Sequence, residues 1–395
     1  MVVGVFIGYD FPVVGIQMKV VSKIFLRLIK SIIAPLLFAT LVTGIAAHGN
    51  AKQVGRLGLK ALIYFEVVTT LALFIGLLAI NITKVGVGIQ LPPTPPEAGV
   101  ELVKPQSWEE IILHIFPENI AKATAEGQIL QVVVFSILFG IGLSLVQGKA
   151  KTTMLSALEA LSEVMFKFTQ VVMYFAPVAV GAAIAYTVAH MGLGILVNLF
   201  SLLLTLYGAL AFFVVVVLLP IALVSKLPIR RFISEISEPV ALAFATTSSE
   251  AALPKAMRAM ERLGVPRNVV AFVMPAGYSF NLDGTTLYLA LASVFVAQAA
   301  GIAMPIEKQL LMVFTLMVTS KGVAGVPRAS LVILMGTAAT FGLPVEPIFI
   351  ILGIDELMDM ARTSINVVGN CLATWVVGRW NGDINLNTLP IAHEE

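Results

Sequence analysis

Residues 191–225 carry no charged side chain, a run longer than the ~20 residues a helix needs to cross a bilayer. Shorter uncharged runs precede it at 31–47, 67–83, 127–148 and 168–189. Only 12% of the 395 residues are charged, about half the ~25% of an ordinary soluble domain. The chain is therefore expected to be an all-α polytopic membrane protein. The strand-like FFVVVV (212–217) inside the longest run reads as helix, because an open strand leaves backbone groups unpaired in lipid. At ~20 residues per crossing, the length holds about eight transmembrane helices plus loops.

Several function classes fall away at once. The net charge of +2 points to no nucleic-acid partner, and the single Cys371 excludes an internal disulfide or a cysteine-based zinc site. His48, His114, His190 and His393 are too scattered for a metal centre, so no cofactor is expected. The apolar start, 2–9, is too short to span and lacks a small-residue cleavage site.

Basic residues in short loops set orientation. Lys52, Arg56 and Lys60, then Lys149 and Lys151, then Lys226, Arg230 and Arg231 mark cytoplasmic loops. The Pro-rich LPPTPPE (91–97) and the 190–194 turn then lie outside. Lys19, Lys23, Arg27 and Lys30 conflict with this scheme. Their spacing places them on one helix face, which fits an amphipathic, tilted helix better than a reversed topology.

From Pro228 onward, polar Gly- and Pro-containing patches interrupt the apolar sequence: TTSSEAALP (246–254), GYSFNLDGTT (277–286), TSKGVAGVP (319–327) and GIDELMDMARTSINVVGN (353–370). The first and third each open on two hydroxyl residues and reach a Pro eight positions later, followed by Lys255 or Arg328. Their flanking arms are too short for two full spans. This predicts two re-entrant hairpins and an internal repeat of hairpin-plus-helix units, the pattern that marks a secondary transporter's binding site.

Within the last patch, Asp355, Asp359, Arg362, Asn366 and Asn370 fall within about 80° of one another on a helix. Each ionisable group at membrane depth costs at least ~2.5–3.5 kcal/mol, so the stripe must face a partner, a cavity or a ligand. Glue between neighbouring helices is the plainer alternative, disfavoured because one Arg cannot neutralise two Asp. Glu66, Asp283, Asp355 and Asp359 all lie in apolar spans with Arg362 as the only deep base. Such an excess of acid implies a bound cation or proton. Ser279, Asn281, Thr285, Asn366, Thr69 and Thr70 offer hard oxygen ligands, although Asp283 alone could cap a helix break and the threonines could simply bond a neighbouring helix. Arg362 is a bidentate carboxylate clamp, and Asp359 one turn away suits an ammonium. Helix N-termini at the hairpin tips, with Ser248 and Ser249 at one and Ala324 and Gly325 at the other, would attract a second carboxylate. Together these features fit an acidic amino acid.

The motifs closely resemble those of the dicarboxylate/amino acid:cation symporter family, the glutamate transporters and their bacterial relatives, in the same order over nearly the whole chain. The resemblance implies a homotrimer in the cell membrane, in contact with its lipids. A scaffold (1–58 and 85–190) would hold a transport domain that moves like an elevator. That domain would comprise 59–84 and 191–380, with hairpins at 228–264 and 306–343, a seventh helix at 267–300 and an eighth at 346–380, ahead of a polar tail at 381–395. By matching positions, substrate would touch Ser249, Thr285, Gly325, Val326, Asp359, Arg362, Thr363 and Asn366. Na+ would be held by Gly277, Asn281, Asn366 and Asn370; by Ser279, Ser320, Lys321 and Val323 through carbonyls; and by Thr69, Thr70, Asn281 and Asp283. Asn370 replaces an Asp cation ligand of sodium-coupled members, and Glu66 replaces a frequent Tyr. Both resemble the bacterial proton/sodium-glutamate branch and make Glu66 the proton-carrier candidate. Thr247 and Glu356 occupy positions where members usually carry an Arg, and the first helix is short. Branches that carry four-carbon dicarboxylates lack an acid at the Asp359 position, so glutamate or aspartate is expected here. The alternatives are a dicarboxylate symporter, an anion channel, or an intramembrane hydrolase using Ser248 or Ser249. No His between His190 and His393 could serve the hydrolase as base.

Overall fold

The computed structural model describes residues 2–46, 53–89, 116–126, 129–320 and 329–384. The Pro-rich loop at 91–97 and the tip at 321–328 lie outside them. Every regular element among the described residues is helical: α1 Val2–Asp10, α2 Pro12–Gln17, α3 Lys19–Ala46, α4 Gln53–Thr83, α5 Ile120–Glu126, α6 Ile129–Leu145, α7 Lys149–Met173, α8 Ala176–Met191, α9 Ile195–Phe213, α10 Leu219–Val224, α11 Ile229–Thr246, α12 Ser249–Leu263, α13 Arg267–Phe280, α14 Asp283–Ala299, α15 Ile306–Thr319, α16 Ala329–Thr340, α17 Glu346–Leu352 and α18 Asp355–Asn381.

The valine run is helical, as lipid demands, but widened. Val214–Leu218 forms a π turn in which the Leu219 N–H reaches the Val214 carbonyl, just before Pro220, which has no N–H to donate. By length and composition, Leu57–Thr83, Ile195–Val224 and Arg267–Ala299 can each cross a bilayer. Two bent pairs qualify only when joined: Val2–Asp10 with Pro12–Phe25, bent by 119°, and Lys149–Met173 with Ala176–Met191, bent by 49°. At 27 residues α18 is long enough, but it carries the polar stripe.

The first helix is folded back on itself. Gly4 and Gly8 lie so close to the backbone at Gly181 and Ala185 that a Cβ at either would sit 2.3 or 2.5 Å from a carbonyl oxygen. Such glycine contacts replace hydrophobic drive where lipid surrounds both helices. Four basic residues ride on α3. Lys23 and Arg27 are exposed, and Lys19 Nζ stands 5.1 Å from the centre of the Tyr186 ring on α8.

The repeat is plain in the second half. The hairpin α11–α12 precedes a helix broken between α13 and α14, and the hairpin α15–α16 precedes one broken between α17 and α18. The hairpin arms have 18, 15, 14 and 12 residues. At ~1.5 Å per residue none reaches the ~30 Å of a bilayer core. Cross-arm ion pairs hold the first hairpin: Lys255 with Glu238, and Arg262 Nε with Glu235 at 2.6 Å. At its turn Thr247 takes a left-handed φ of 52°, and Ser248 Oγ caps α12 by accepting from the Ala251 N–H at 3.3 Å.

α14 lies at the centre, with nearly every residue buried, packed against α4, α16 and α18. The approach of α4 requires Gly76, where a Cβ would meet the Leu287 carbonyl oxygen at 2.2 Å.

Candidate functional site

The site forms where the two broken helices meet. At its break, α14 begins without a side-chain cap of its own, leaving N–H groups that need acceptors. Asn366 of α18 supplies one from across the interface. Its Oδ1 accepts from the Gly284 N–H at 2.8 Å and the Thr285 N–H at 3.2 Å, while its Nδ2 donates to Thr285 Oγ1 at 2.9 Å. Gly284 makes the approach possible, since a Cβ there would meet the Arg362 carbonyl oxygen at 2.3 Å.

One turn from Asn366, Arg362 is fully buried. Its Nε donates to Asp359 Oδ1 at 2.8 Å and its Nη1 to Asp355 Oδ1 at 3.0 Å. Thr363 Oγ1 also donates to Asp359 Oδ1, at 3.0 Å. The guanidinium carbon lies 4.1 Å from the centre of the Tyr288 ring, and the Tyr288 hydroxyl donates to Asp355 Oδ1 at 3.3 Å. One Arg thus engages both acids of the stripe, which the sequence reading held it could not neutralise. Its Nη2 has no hydrogen-bond partner among the described residues. The planar donor fork is fixed on two sides by carboxylates and on its face by an aromatic ring, with one donor still to satisfy.

A second cluster lies further along α18. Asn281 Nδ2 donates to Asp283 Oδ2 at 3.3 Å. That carboxylate presses against Gly369, where a Cβ would sit 1.9 Å from Oδ2. Asn370 Oδ1 rests against Gly277, where a Cβ would lie 2.0 Å away. Neither Asn281 Oδ1 nor either amide atom of Asn370 has a hydrogen-bond partner among the described residues, although all are buried. Buried amide oxygens beside a carboxylate form a hard donor set of the kind alkali cations prefer.

Residues 1–380 match the sodium:dicarboxylate symporter family. The chain belongs to this family. It is 41% identical to the proton/sodium-glutamate symport protein of Geobacillus stearothermophilus over 98% of its own length and 93% of that protein. Identity to the proton/glutamate-aspartate symporter of Escherichia coli (strain K12) is 42%, over 91% and 84%. The C4-dicarboxylate transport protein of Cupriavidus necator is equally similar, 41% over 98% and 91%. As a family member the protein is a transporter of the multi-pass membrane class, not an enzyme.

Within this symporter the predicted residues divide. Thr285, Asp359, Arg362, Thr363 and Asn366 form one hydrogen-bonded group. Gly277, Asn281, Asp283 and Asn370 form the cluster beside it. Ser248 and the buried Ser249 stand at the first hairpin turn, and both hairpin arms pack against α18. Buried Ser320 ends α15, with its Oγ lacking a hydrogen-bond partner among the described residues. Thr69 is buried and donates to the Phe65 carbonyl of its own helix at 2.6 Å, and Thr70 is half-buried. Lys321, Val323, Ala324, Gly325 and Val326, and the side chain of Ser279, lie outside the described residues. Glu66 is half-buried and lines a separate cavity of about 320 Å3. The sequence reading assigned no role to Tyr288 or Gly284. Their spacing held the signal: four residues apart, they share a helix face.

Proposed function

We propose that this symporter carries acidic amino acids, glutamate or aspartate, into the cell with Na+, H+ or both. The observation that carries the reading is the buried Asp359–Arg362 pair at 2.8 Å. An incoming carboxylate takes Nη2 and a neighbouring guanidinium donor, and the α-ammonium takes Asp359, so that each partner of the pair gains a counter-charge. Backbone N–H groups at the hairpin turns receive the other carboxylate. The Asn281–Asp283–Asn370 cluster, with Gly277, is the cation site nearest the substrate. Thr69 and Thr70 supply further oxygens, and Glu66 is the proton carrier. The names of the glutamate relatives support the substrate class. The division into scaffold (1–58, 85–190) and transport segments (59–84, 191–380), elevator movement, trimeric assembly and contact with cell-membrane lipids extend the same proposal. The test is uptake of labelled glutamate and aspartate into proteoliposomes with each ion gradient imposed separately. Accumulation under an inward Na+ or H+ gradient is expected, and no gradient-dependent uptake of either substrate refutes the reading.

A second reading, four-carbon dicarboxylate transport, is favoured by the Cupriavidus relative's equal identity. Asp359 weighs against it, because a dicarboxylate has no ammonium with which to satisfy that acid. Competition of labelled glutamate uptake by unlabelled succinate decides between them.

A further inference from the structure

We propose that the cavity beside Glu66 is a binding site for a lipophilic ammonium compound, an aryl-alkyl amine entering from the bilayer. Its walls are drawn from five helices: Leu41 of α3, Phe65 and Glu66 of α4, Ile137 of α6, Phe280 at the end of α13, and Phe314 of α15. The lining is apolar apart from Glu66, and the volume is about 320 Å3. An engineered apolar cavity of ~150 Å3 already holds a benzene molecule, so this one accommodates a phenyl ring with an alkyl chain. Exposed Leu62 and Phe314 both belong to its lining, so the mouth opens on an apolar surface of the kind that faces lipid tails. A solute arriving from there must itself be lipophilic. A carboxylate among apolar walls then selects the charge: an ammonium partner is attracted strongly in a low dielectric, whereas an anion is rejected. Alkyl ammonium groups stay protonated at neutral pH, as Lys does with its reference value near 10.4.

The walls include α3 and α6 on one side and α4, α13 and α15 on the other. These are the segments assigned above to scaffold and to transport domain, so an occupant bridges them and restrains their relative movement. This consequence rests on the proposed elevator reading; the binding site itself does not.

Binding is measured by isothermal titration of 4-phenylbutylamine into the purified full chain in detergent, with the neutral isostere 4-phenylbutanol in parallel. Saturable amine binding at one site per chain is expected. Glu66→Gln should weaken the amine about tenfold, the scale of one charge-assisted hydrogen bond, and leave the alcohol unchanged. Ile137→Trp, which fills the cavity from α6, should abolish both. Equal amine affinity in the wild type and Glu66→Gln overturns the proposal, as does amine binding unaffected by Ile137→Trp. A bilayer acyl chain is the rival occupant. A phospholipid retained in native mass spectrometry of the wild type, lost in Ile137→Trp and undisplaced by the amine, overturns the assignment in its favour. In proteoliposomes the amine should lower the maximal uptake rate without raising the substrate KM. Binding without such inhibition overturns the restraining role, whereas no uptake under any gradient counts against the transport reading instead.

Discussion

At the scale of single residues, Arg362 is defined by what holds it. Two carboxylates and a ring face fix its donor fork, so its geometry matters as much as its charge. Arg362→Ala should abolish glutamate binding and leave Asp355 and Asp359 uncompensated, and loss of one partner of a buried pair costs ~3–5 kcal/mol. Arg362→Lys keeps the charge but not the fork, so glutamate binding should fall at least about tenfold in a titration on detergent-solubilised protein, one charge-assisted hydrogen bond being worth ~1.5–3 kcal/mol. Unchanged affinity in the lysine variant would show that charge alone suffices. Tyr288 separates its two contributions. Tyr288→Phe keeps the ring over the guanidinium and loses the hydrogen bond to Asp355. Tyr288→Leu loses both and should bind glutamate more weakly than the Phe variant, by roughly the 0.5–2 kcal/mol of a cation–π contact. For Asp359→Ser, weaker glutamate binding with relatively better succinate competition is expected, and equal loss of both would remove the ammonium role.

At the scale of elements, the two breaks are mutually stabilised rather than separately capped. Asn366 satisfies two N–H groups of α14 from α18. Asn366→Leu leaves both buried without an acceptor, at ~1–3 kcal/mol each, whereas Asn366→Asp retains acceptors for them. Thermal unfolding in detergent should therefore place the Leu variant well below the Asp variant, and equal Tm values would show that water replaces the cap. This contact marks the limit of what the sequence revealed. The stripe on α18, the hairpins and the interruption at NLDG were legible because helical period, Pro and Gly are local signals. The cross-helix cap, the ring over Arg362 and the sharing of that Arg by two acids were not, because each depends on which helix lies opposite. The π turn at Val214–Leu218 was likewise hidden: valines advertise strand, and lipid only dictates that the segment be helical, not how tightly wound. Gly277 and Gly369 show the intermediate case. Both are visible as glycines, but only packing reveals that a methyl group would displace Asn370 or Asp283.

For the whole molecule, charge balance sets how coupling must work. Asp283, Asp355 and Asp359 are buried together with Arg362, which leaves a formal charge of −2 in this group of residues. A bound glutamate, itself −1, deepens the deficit. Carrying such a charge through a low-dielectric barrier costs several kcal/mol for each uncompensated ion. Cations must therefore accompany the substrate in greater number than its own single negative charge. Inward uptake then moves net positive charge, and an inside-negative membrane potential should drive it. With Na+ and H+ gradients held fixed, imposing that potential with a K+ gradient and valinomycin should raise the initial rate of glutamate uptake, and reversing the potential should lower it. A rate indifferent to the potential would mean that the buried acids are neutralised by protons that stay with the protein throughout the cycle. In that case a single cation suffices for each glutamate, and the excess of acid in the site serves binding rather than coupling.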